Sequence, residues 1–163
     1  MKLQVLVSTM HQDNFELIKK MSIASDAVII NQCNYNSLKY IDVDNYKIKW
    51  INSKERGLSR SRNMAIENAD ADICVLADDD LVYISGYEKI ILEQFKLNPD
   101  YDILTFQVQG IERKFKDYFP KPRNLNYLTS MKVSSVKIAF RRSSIINAGI
   151  KFNEMFGSGV KYF

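Results

Sequence analysis

The sequence predicts an α/β fold in which helices flank a mostly parallel sheet within a single domain. Short apolar runs alternate with segments whose apolar residues recur at helical spacing, which is typical of a succession of strands and crossover helices. With 163 residues, of which 46% are hydrophobic, the chain is long enough for one buried core and too short for two ordinary domains. Neither internal repeats nor low-complexity tracts interrupt this pattern.

The alternation predicts six strands and four helices. The predicted strands are 3–8, 27–31, 46–52, 73–77, 103–108 and 136–141. The predicted helices are 15–24, 58–69, 87–98 and 143–148. The first helix places Phe15, Ile18 and Met21 on one face, Pro99 ends the third helix, and Gly149 ends the last.

Composition narrows the class of protein. The net charge of +4 suits a phosphate-bearing ligand, an anionic membrane surface or solubility alone. The two cysteines, Cys33 and Cys74, stand in apolar surroundings without the spacing of metal ligands, so we expect reduced, buried thiols in a soluble cytoplasmic protein. The N-terminus begins directly as a strand, and no segment is long and apolar enough to span a bilayer.

Three consecutive aspartates, Asp78, Asp79 and Asp80, follow the apolar run of residues 73–77. Adjacent carboxylates repel one another, and a hard divalent cation such as Mg²⁺ or Mn²⁺ offsets that repulsion. The carboxyl end of a strand is also where open α/β sheets bind their ligands. The triplet therefore predicts a metal site, with a solvated acidic loop as the alternative interpretation.

Several blocks, taken in order, resemble one known family. They are Val7-Ser8-Thr9, residues 55–63 followed by Ala65-Ile66, residues 71–80 with the aspartate triplet, residues 139–143, and residues 148–154. Each block is short, but their order and spacing over nearly the whole chain are similar to those of family 2 glycosyltransferases. The resemblance implies the GT-A fold, a Rossmann-like arrangement in which residues 1–109 bind the nucleotide sugar. Residues 110–163 would then form the acceptor side, and the resemblance implies that the C-terminal end of the domain is missing.

The resemblance implies roles for the aspartates. Asp80 is the expected direct ligand of Mn²⁺ or Mg²⁺. Asp78 and Asp79 would divide the remaining contacts, one to the ribose hydroxyls of the donor and the other to the metal through water, with Asp78 the second candidate metal ligand. A bound divalent ion would neutralise the charge that develops on the leaving diphosphate.

Other predicted donor contacts lie where strands end or helices begin. Ser8 and Thr9 either meet the nucleotide or cap the segment that follows the first strand. Arg56, beside a glycine, is the expected basic contact to the base or diphosphate, and Ser59 stands at the start of the same helix. Gln32 is expected to pair with the base through its amide.

The neighbouring arginines, Arg60 and Arg62, are two residues apart on one predicted helix. They cannot share a face, so we expect at least one of them to be solvated or at the sheet edge.

One departure from the family pattern concerns the donor. Asn31-Gln32 stand where many members carry an acidic pair that holds the base. An amide can still pair with a base edge, so a uridine nucleotide remains the default donor.

A second departure concerns the general base. The motif that supplies it normally follows the segment at residues 157–163, so the resemblance implies a general base beyond Phe163. No replacement is evident within the chain. The available carboxylates, Asp100, Asp102, Asp117 and Glu154, match no block, and the lone histidine, His11, is expected to be a surface residue.

The resemblance thus implies a metal-dependent, inverting glycosyltransferase. It would move a sugar from a nucleotide sugar to a saccharide or lipid-linked acceptor in bacterial surface-polysaccharide synthesis. One alternative is a truncated remnant that binds the donor without transferring it. Another is a sugar-phosphate nucleotidyltransferase, which would need a glycine-rich loop where residues 10–14 contain no glycine. A receiver-like signalling domain would need an acidic pair after the first strand.

Residues 110–129, which include two prolines, are predicted to form an irregular, basic insertion. Its basic and aromatic residues are Arg113, Lys114, Phe115, Lys116, Tyr118, Phe119, Lys121, Arg123 and Tyr127. We interpret it as an acceptor-side loop with a solvated face, or as a peripheral contact with the inner surface of the membrane. We expect no nucleic-acid partner.

Overall fold

The computed structural model describes residues 1–110, 118 and 121–155. The strands are β1 (Leu3–Met10), β2 (Asp26–Gln32), β3 (Ser37–Val43), β4 (Tyr46–Ser53), β5 (Ile73–Asp78), β6 (Ile103–Thr105) and β7 (Ile138–Arg141). The helices are α1 (Glu16–Lys20), α2 (Leu58–Asn68), α3 (Tyr87–Leu97), α4 (Tyr127–Ser130) and α5 (Arg142–Asn147), and a 3₁₀ turn spans Ser135–Lys137.

The strands form one sheet in the order β3-β4-β2-β1-β5-β7-β6. β1 pairs in parallel with both β2 and β5, and β2 pairs in parallel with β4. β3 and β7 run antiparallel to their neighbours. The predicted α/β fold with a mostly parallel sheet is therefore confirmed, and its parallel centre aligns the carboxyl ends of four strands along one edge.

The prediction omitted β3, which pairs with β4 as a hairpin around Asp44 and Asn45. Asp44 adopts φ 52°, a left-handed conformation that a two-residue hairpin turn requires and that Asp and Asn tolerate. The Asp44-Asn45 pair, which lies between two segments of alternating polar and apolar residues, was the sequence signal for this hairpin. Because β3 precedes β4, the aspartate triplet follows the fifth strand rather than the fourth.

Other element ends also differ from the prediction. α1 is five residues long because Ser22 adopts a left-handed φ of 53° and stops the helix. β5 includes Asp78, β6 ends at Thr105, and a short helix, α4, lies within the stretch predicted to be irregular.

The core has two layers, one on each face of the sheet. Alternate strand residues such as Val5, Ile29 and Trp50 face α1 and α3. The intervening residues, such as Leu6 and Leu76, face α2 and α5.

Both cysteines are free and buried, as expected, and burial raises the pKa of Cys74 to about 12. Among the residues described, no helix is both long and apolar enough to cross a membrane.

Two neighbouring isoleucines of α3 test this packing. Ile91 is 6% exposed and belongs to the core, whereas Ile90 is 44% exposed. We expect Ile91→Ala to lower the free energy of unfolding by about 2–4 kcal/mol, because it removes buried methylenes and leaves a cavity. The matched substitution Ile90→Ala should change it by less than about 0.5 kcal/mol. Urea denaturation of both variants measures the difference, and equal losses would contradict the assigned helix face.

Candidate functional site

The candidate site lies at the carboxyl edge of the parallel strands, where β1 separates β2 from β5. This is the point where the strand order reverses direction, because the chain passes from β1 to β2 on one side and later returns to form β5 on the other side of β1. Open α/β sheets bind ligands in the crevice that forms there. The register places Ser8 opposite Asp78 and Met10 opposite Gln32, so the predicted residues of three strands meet at one edge.

Two of the three aspartates are held by partners from other elements. Arg62 Nη2 donates to Asp78 Oδ1 at 2.8 Å, and Thr9 Oγ1 donates to Asp79 Oδ2 at 2.6 Å. Asp80 is exposed to solvent. The triplet therefore has two oriented carboxylates at the sheet edge and a third that faces solution.

Arg62 is the residue of the candidate site that the sequence reasoning undervalued. It is only 7% exposed, its guanidinium lies 5.7 Å from the Phe152 ring centroid, and its Nε is buried without a hydrogen-bond partner. Arg60, by contrast, is partly exposed and pairs with Glu55 and Glu154, so the expectation of one solvated arginine holds. Spacing was the available signal, because Arg62 lies three and four residues before the apolar Ala65 and Ile66 on the buried face of α2.

Ser8 and Thr9 are both buried and bonded within the site. The Ser61 hydroxyl donates to Ser8 Oγ at 2.9 Å, which links β1 to α2. Thr9 accepts a bond from Gln12 Nε2 at 3.0 Å in addition to its bond to Asp79. The structure thus places these two hydroxyls where they orient neighbouring groups.

The end of β2 is neutral and its amides hold neighbouring loops. Gln32 Oε1 accepts from the Gly57 backbone N–H at 2.8 Å, just before α2 begins. Gly57 has φ 113°, a conformation that favours glycine. Asn31, which is fully buried, exchanges two bonds with the Gln12 backbone and donates to Asn52 Oδ1 at 2.7 Å.

Arg56 and Ser59 lie close to this edge but not against the aspartates. Arg56 Nη1 donates to the carbonyl oxygens of Cys33 and Lys54 at 2.7 and 2.9 Å, and Nη2 donates to Asn34 Oδ1 at 2.9 Å. The guanidinium thereby joins the loops that follow β2 and β4. Ser59 is half-buried in the first turn of α2.

Residues 150–155 run along α2 and are clipped to it by Asn63. Its side-chain oxygen accepts from the Phe152 N–H at 2.8 Å, and its Nδ2 donates to the Phe152 carbonyl at 3.0 Å. Glu154 accepts from Asn63 and from Arg60, and these bonds lower the pKa of the Glu154 carboxyl below its ordinary value. The bonds that Arg60 donates to Glu154 and Glu55 raise the pKa of its guanidinium.

Two of the carboxylates considered for proton removal, Asp100 and Asp102, lie away from the triplet. Asp100 and Asp102 precede β6, which runs in the same direction as β5, so they lie at the opposite edge of the sheet. His11 is exposed and has a left-handed φ of 51°. Within residues 1–110 and 121–155, no three His, Cys, Asp or Glu side chains converge as metal ligands.

Some predicted features lie outside the described residues. They are Arg113, Lys114, Phe115, Lys116, Asp117 and Phe119 of the basic insertion, and the terminal stretch 157–163. The general base was expected beyond Phe163, and Phe163 itself is not among the described residues. A general base beyond Phe163 therefore stays a prediction.

Comparison with solved structures shows the fold. TarS residues 1–349 from S. aureus match with a TM-score of 0.74 and 16% identity, over 97% of this chain and 52% of that one. The same TarS segment in complex with UDP gives a TM-score of 0.75 at 16% identity, with the same coverage. Its complex with UDP-GlcNAc gives 0.66 at 17% identity, over 94% of this chain and 49% of that one. These matches confirm the expected GT-A fold, and the chain spans about half the length of the TarS segment.

Comparison with family models gives the assignment, whereas the search of curated proteins finds no match. The model described as "Glycosyl transferase family 2" matches residues 29–159, which is well over half of the chain and includes α2, the aspartate triplet and the segment clipped by Asn63. The chain therefore belongs to glycosyl transferase family 2.

Proposed function

We propose that this chain binds a uridine-diphosphate sugar and serves in the inverting transfer of that sugar to an acceptor hydroxyl. The observation that carries the proposal is the ion pair between the buried Arg62 and the half-buried Asp78 at the switch point of the sheet. It places a cation with an unsatisfied N–H beside carboxylates at the edge where such folds bind ligands. The TarS complexes with UDP and with UDP-GlcNAc support the choice of nucleotide.

The residues present fit a divalent cation that is completed by its substrate. Mg²⁺ is commonly held by one or two carboxylates together with substrate phosphates and water, so it needs no cluster of three protein ligands. Asp80, which is exposed, would be the direct ligand, and the Asp78 carboxylate would contribute the second contact. Bound Mn²⁺ or Mg²⁺ would supply Lewis-acid stabilisation of the leaving diphosphate.

The chain's own residues have distinct tasks in this proposal. Thr9 orients Asp79 toward the ribose hydroxyls of the donor, while Arg62 orients Asp78 and offers its remaining N–H groups to the diphosphate. Gln32 and Arg56 hold the loops after β2 and β4, which form the base side of the site. Ser8 and Ser59 complete the wall at β1 and α2.

The acceptor side of the proposal rests on the family. We take the acceptor to be a saccharide or a lipid-linked saccharide of bacterial surface polysaccharide, and the reaction to take place in the cytoplasm at the inner face of the membrane.

Donor binding without transfer is the second candidate function. The hydrogen bonds of Glu154 and the positions of Asp100 and Asp102 favour it. Both oxygens of Glu154 accept bonds from cationic or amide donors, which suits a structural role better than proton removal. Asp100 and Asp102 lie at the wrong edge of the sheet. A general base needs to reach the acceptor hydroxyl and to be free to take its proton, and the bonds of Glu154 and the position of Asp100 and Asp102 do not favour that role.

Metal-dependent nucleotide binding is the first test. Calorimetric titration of UDP should show binding with Mn²⁺ that disappears in chelator. Asp80→Asn should weaken UDP binding in the presence of Mn²⁺ by at least about tenfold. Loss of a group that only supports a metal ligand already costs a metal site about that much, and Asp80 is the expected direct ligand. Asp44→Asn, an exposed carboxylate in the β3–β4 turn, is the matched control and should bind as the parent does. Equal binding by Asp80→Asn and the parent would refute the metal assignment.

Two arginines of α2 provide the second test. Arg62→Met should weaken UDP binding by roughly 10- to 100-fold, because a hydrogen bond to a charged group is worth about 1.5–3 kcal/mol. Arg60→Met removes a partly exposed pair on the same helix and should change the dissociation constant by less than about threefold. If both variants lose the same affinity, the effect comes from α2 and not from the Arg62–Asp78 pair.

Release of UDP separates the two candidate functions. A transferase should release UDP from UDP-GlcNAc faster when a saccharide acceptor is added, whereas a donor-binding protein should hold the intact sugar nucleotide. Chromatography of the nucleotides after incubation with Mn²⁺ makes the distinction. We expect the 163-residue chain to bind the donor with little turnover, and rapid acceptor-dependent release would contradict that expectation.

A further inference from the structure

Four exposed apolar side chains, called here the apolar cluster, lie close together in sequence between β6 and β7. Leu125, Tyr127, Leu128 and Met131 are 40%, 82%, 71% and 74% exposed, although they lie within seven residues of one another. Single exposed apolar side chains are ordinary on protein surfaces, whereas a contiguous group of them marks a contact with a partner or a lipid. We therefore expect the cluster to contact a partner or a lipid.

Local hydrogen bonds hold this cluster in shape. Asn126 caps α4 by accepting from the Thr129 N–H at 3.0 Å, and Thr129 Oγ1 accepts from the Asn126 N–H at 2.8 Å. Tyr127 and Met131 are four residues apart, so their side chains share one side of the turn. The reciprocal cap keeps the turn formed without burying its apolar residues.

Bonds at both ends attach this segment to the sheet. The Tyr101 hydroxyl donates to Asn124 Oδ1 at 2.7 Å, and the Phe106 N–H donates to the Lys137 carbonyl at 2.8 Å. β7 runs antiparallel to β5 and so begins beside the carboxyl end of β5. The C-terminal end of the segment thus enters the sheet at the edge that carries Asp78, whereas Asn124 is bonded to Tyr101 at the opposite edge.

The stretch of sequence that contains the cluster carries basic residues and no acidic ones. From Tyr118 to Asn153 the sequence contains no Asp or Glu, and its basic residues are Lys121, Arg123, Lys132, Lys137, Arg141, Arg142 and Lys151. Lys121, Arg123 and Lys132 flank the apolar turn and are exposed.

We infer that the 121–132 surface, formed by these four apolar residues with Lys121, Arg123 and Lys132, adsorbs to an anionic lipid bilayer. Basic groups beside exposed aromatic and aliphatic side chains suit the boundary between headgroups and acyl chains. A soluble polyanion would engage the three charges alone, and the exposed Leu128 and Met131 would gain nothing from it. The inference rests on the proposed function, which takes the reaction to the inner face of the membrane, and deepens it by naming the contact surface, which contains none of the residues assigned to the nucleotide.

Sedimentation of the full chain with vesicles tests the inference. The parent should bind vesicles of phosphatidylcholine mixed with phosphatidylglycerol and should not bind pure phosphatidylcholine. The apolar variant, with Tyr127→Ser, Leu128→Ser and Met131→Ser, should partition at least about tenfold more weakly. The basic variant, with Lys121→Gln, Arg123→Gln and Lys132→Gln, should lose about 100-fold, since each charge near an anionic surface contributes roughly fivefold.

Two control variants match these changes elsewhere on the surface. Tyr40→Ser, Ile84→Ser and Leu97→Ser replace residues of similar exposure, at 74%, 68% and 73%. Lys19→Gln, Lys20→Gln and Lys89→Gln remove three exposed charges. Both controls should bind the mixed vesicles as the parent does, and UDP titration should be unchanged in all four variants.

Three results would overturn the inference. The first is failure of the parent to bind the mixed vesicles. The second is equal loss in the controls, which would mean that net charge or general hydrophobicity decides binding. The third is undiminished binding by the apolar variant together with loss in the basic variant, which would identify a site for a soluble polyanion instead. Circular dichroism of each variant verifies that it has folded.

Discussion

β1 is paired on both sides, and its register decides where the polar side chains at the strand ends lie. It aligns Ser8 with Asp78 of β5 and Met10 with Gln32 of β2. A shift of one residue would turn every side chain of a strand to the other face of the sheet, which both apolar layers resist. Val5 and Leu6 illustrate this constraint, since each is buried on a different face. The hydrophobic packing of β1 therefore sets the geometry of the candidate site.

The aspartate triplet depends on that geometry to offset its own repulsion. Asp78 pairs with Arg62 and Asp79 accepts a bond from Thr9, so two of the three charges already have a donor. Burying an arginine is costly unless its charge is paired, and the exposed side of Asp78 leaves room for a ligand. The unsatisfied Nε of Arg62 leaves part of this cost uncompensated. In the proposed function, an anionic donor beside Arg62 would supply the partner that the protein itself does not.

The opposite side of the site is built from neutral amides. Asn31 and Asn52 bond to each other, to the Gln12 backbone and to the Trp50 ring N–H, and they are buried among the ends of β2 and β4. Their bonding capacity is largely used within the protein, so they shape the loops rather than carry charge. The site is therefore electrostatically asymmetric, with the carboxylates beside β5 and, beside β2, amides together with the Arg56 guanidinium.

The sequence by itself determined the features that depend on local pattern. Apolar periodicity indicated the parallel strands and α2, and the ordered motifs indicated the glycosyltransferase family before any fold was known. Asp78 follows an apolar run, so the sequence also placed the triplet at the carboxyl end of a strand.

Tertiary structure alone decided which residues contact one another at the site. Arg62 rather than Arg56 contacts the triplet, and β3 completes one side of the sheet, because those outcomes depend on contacts between residues far apart in the chain. Arg62 and Asp78 are brought together by a strand order and register that local periodicity does not contain.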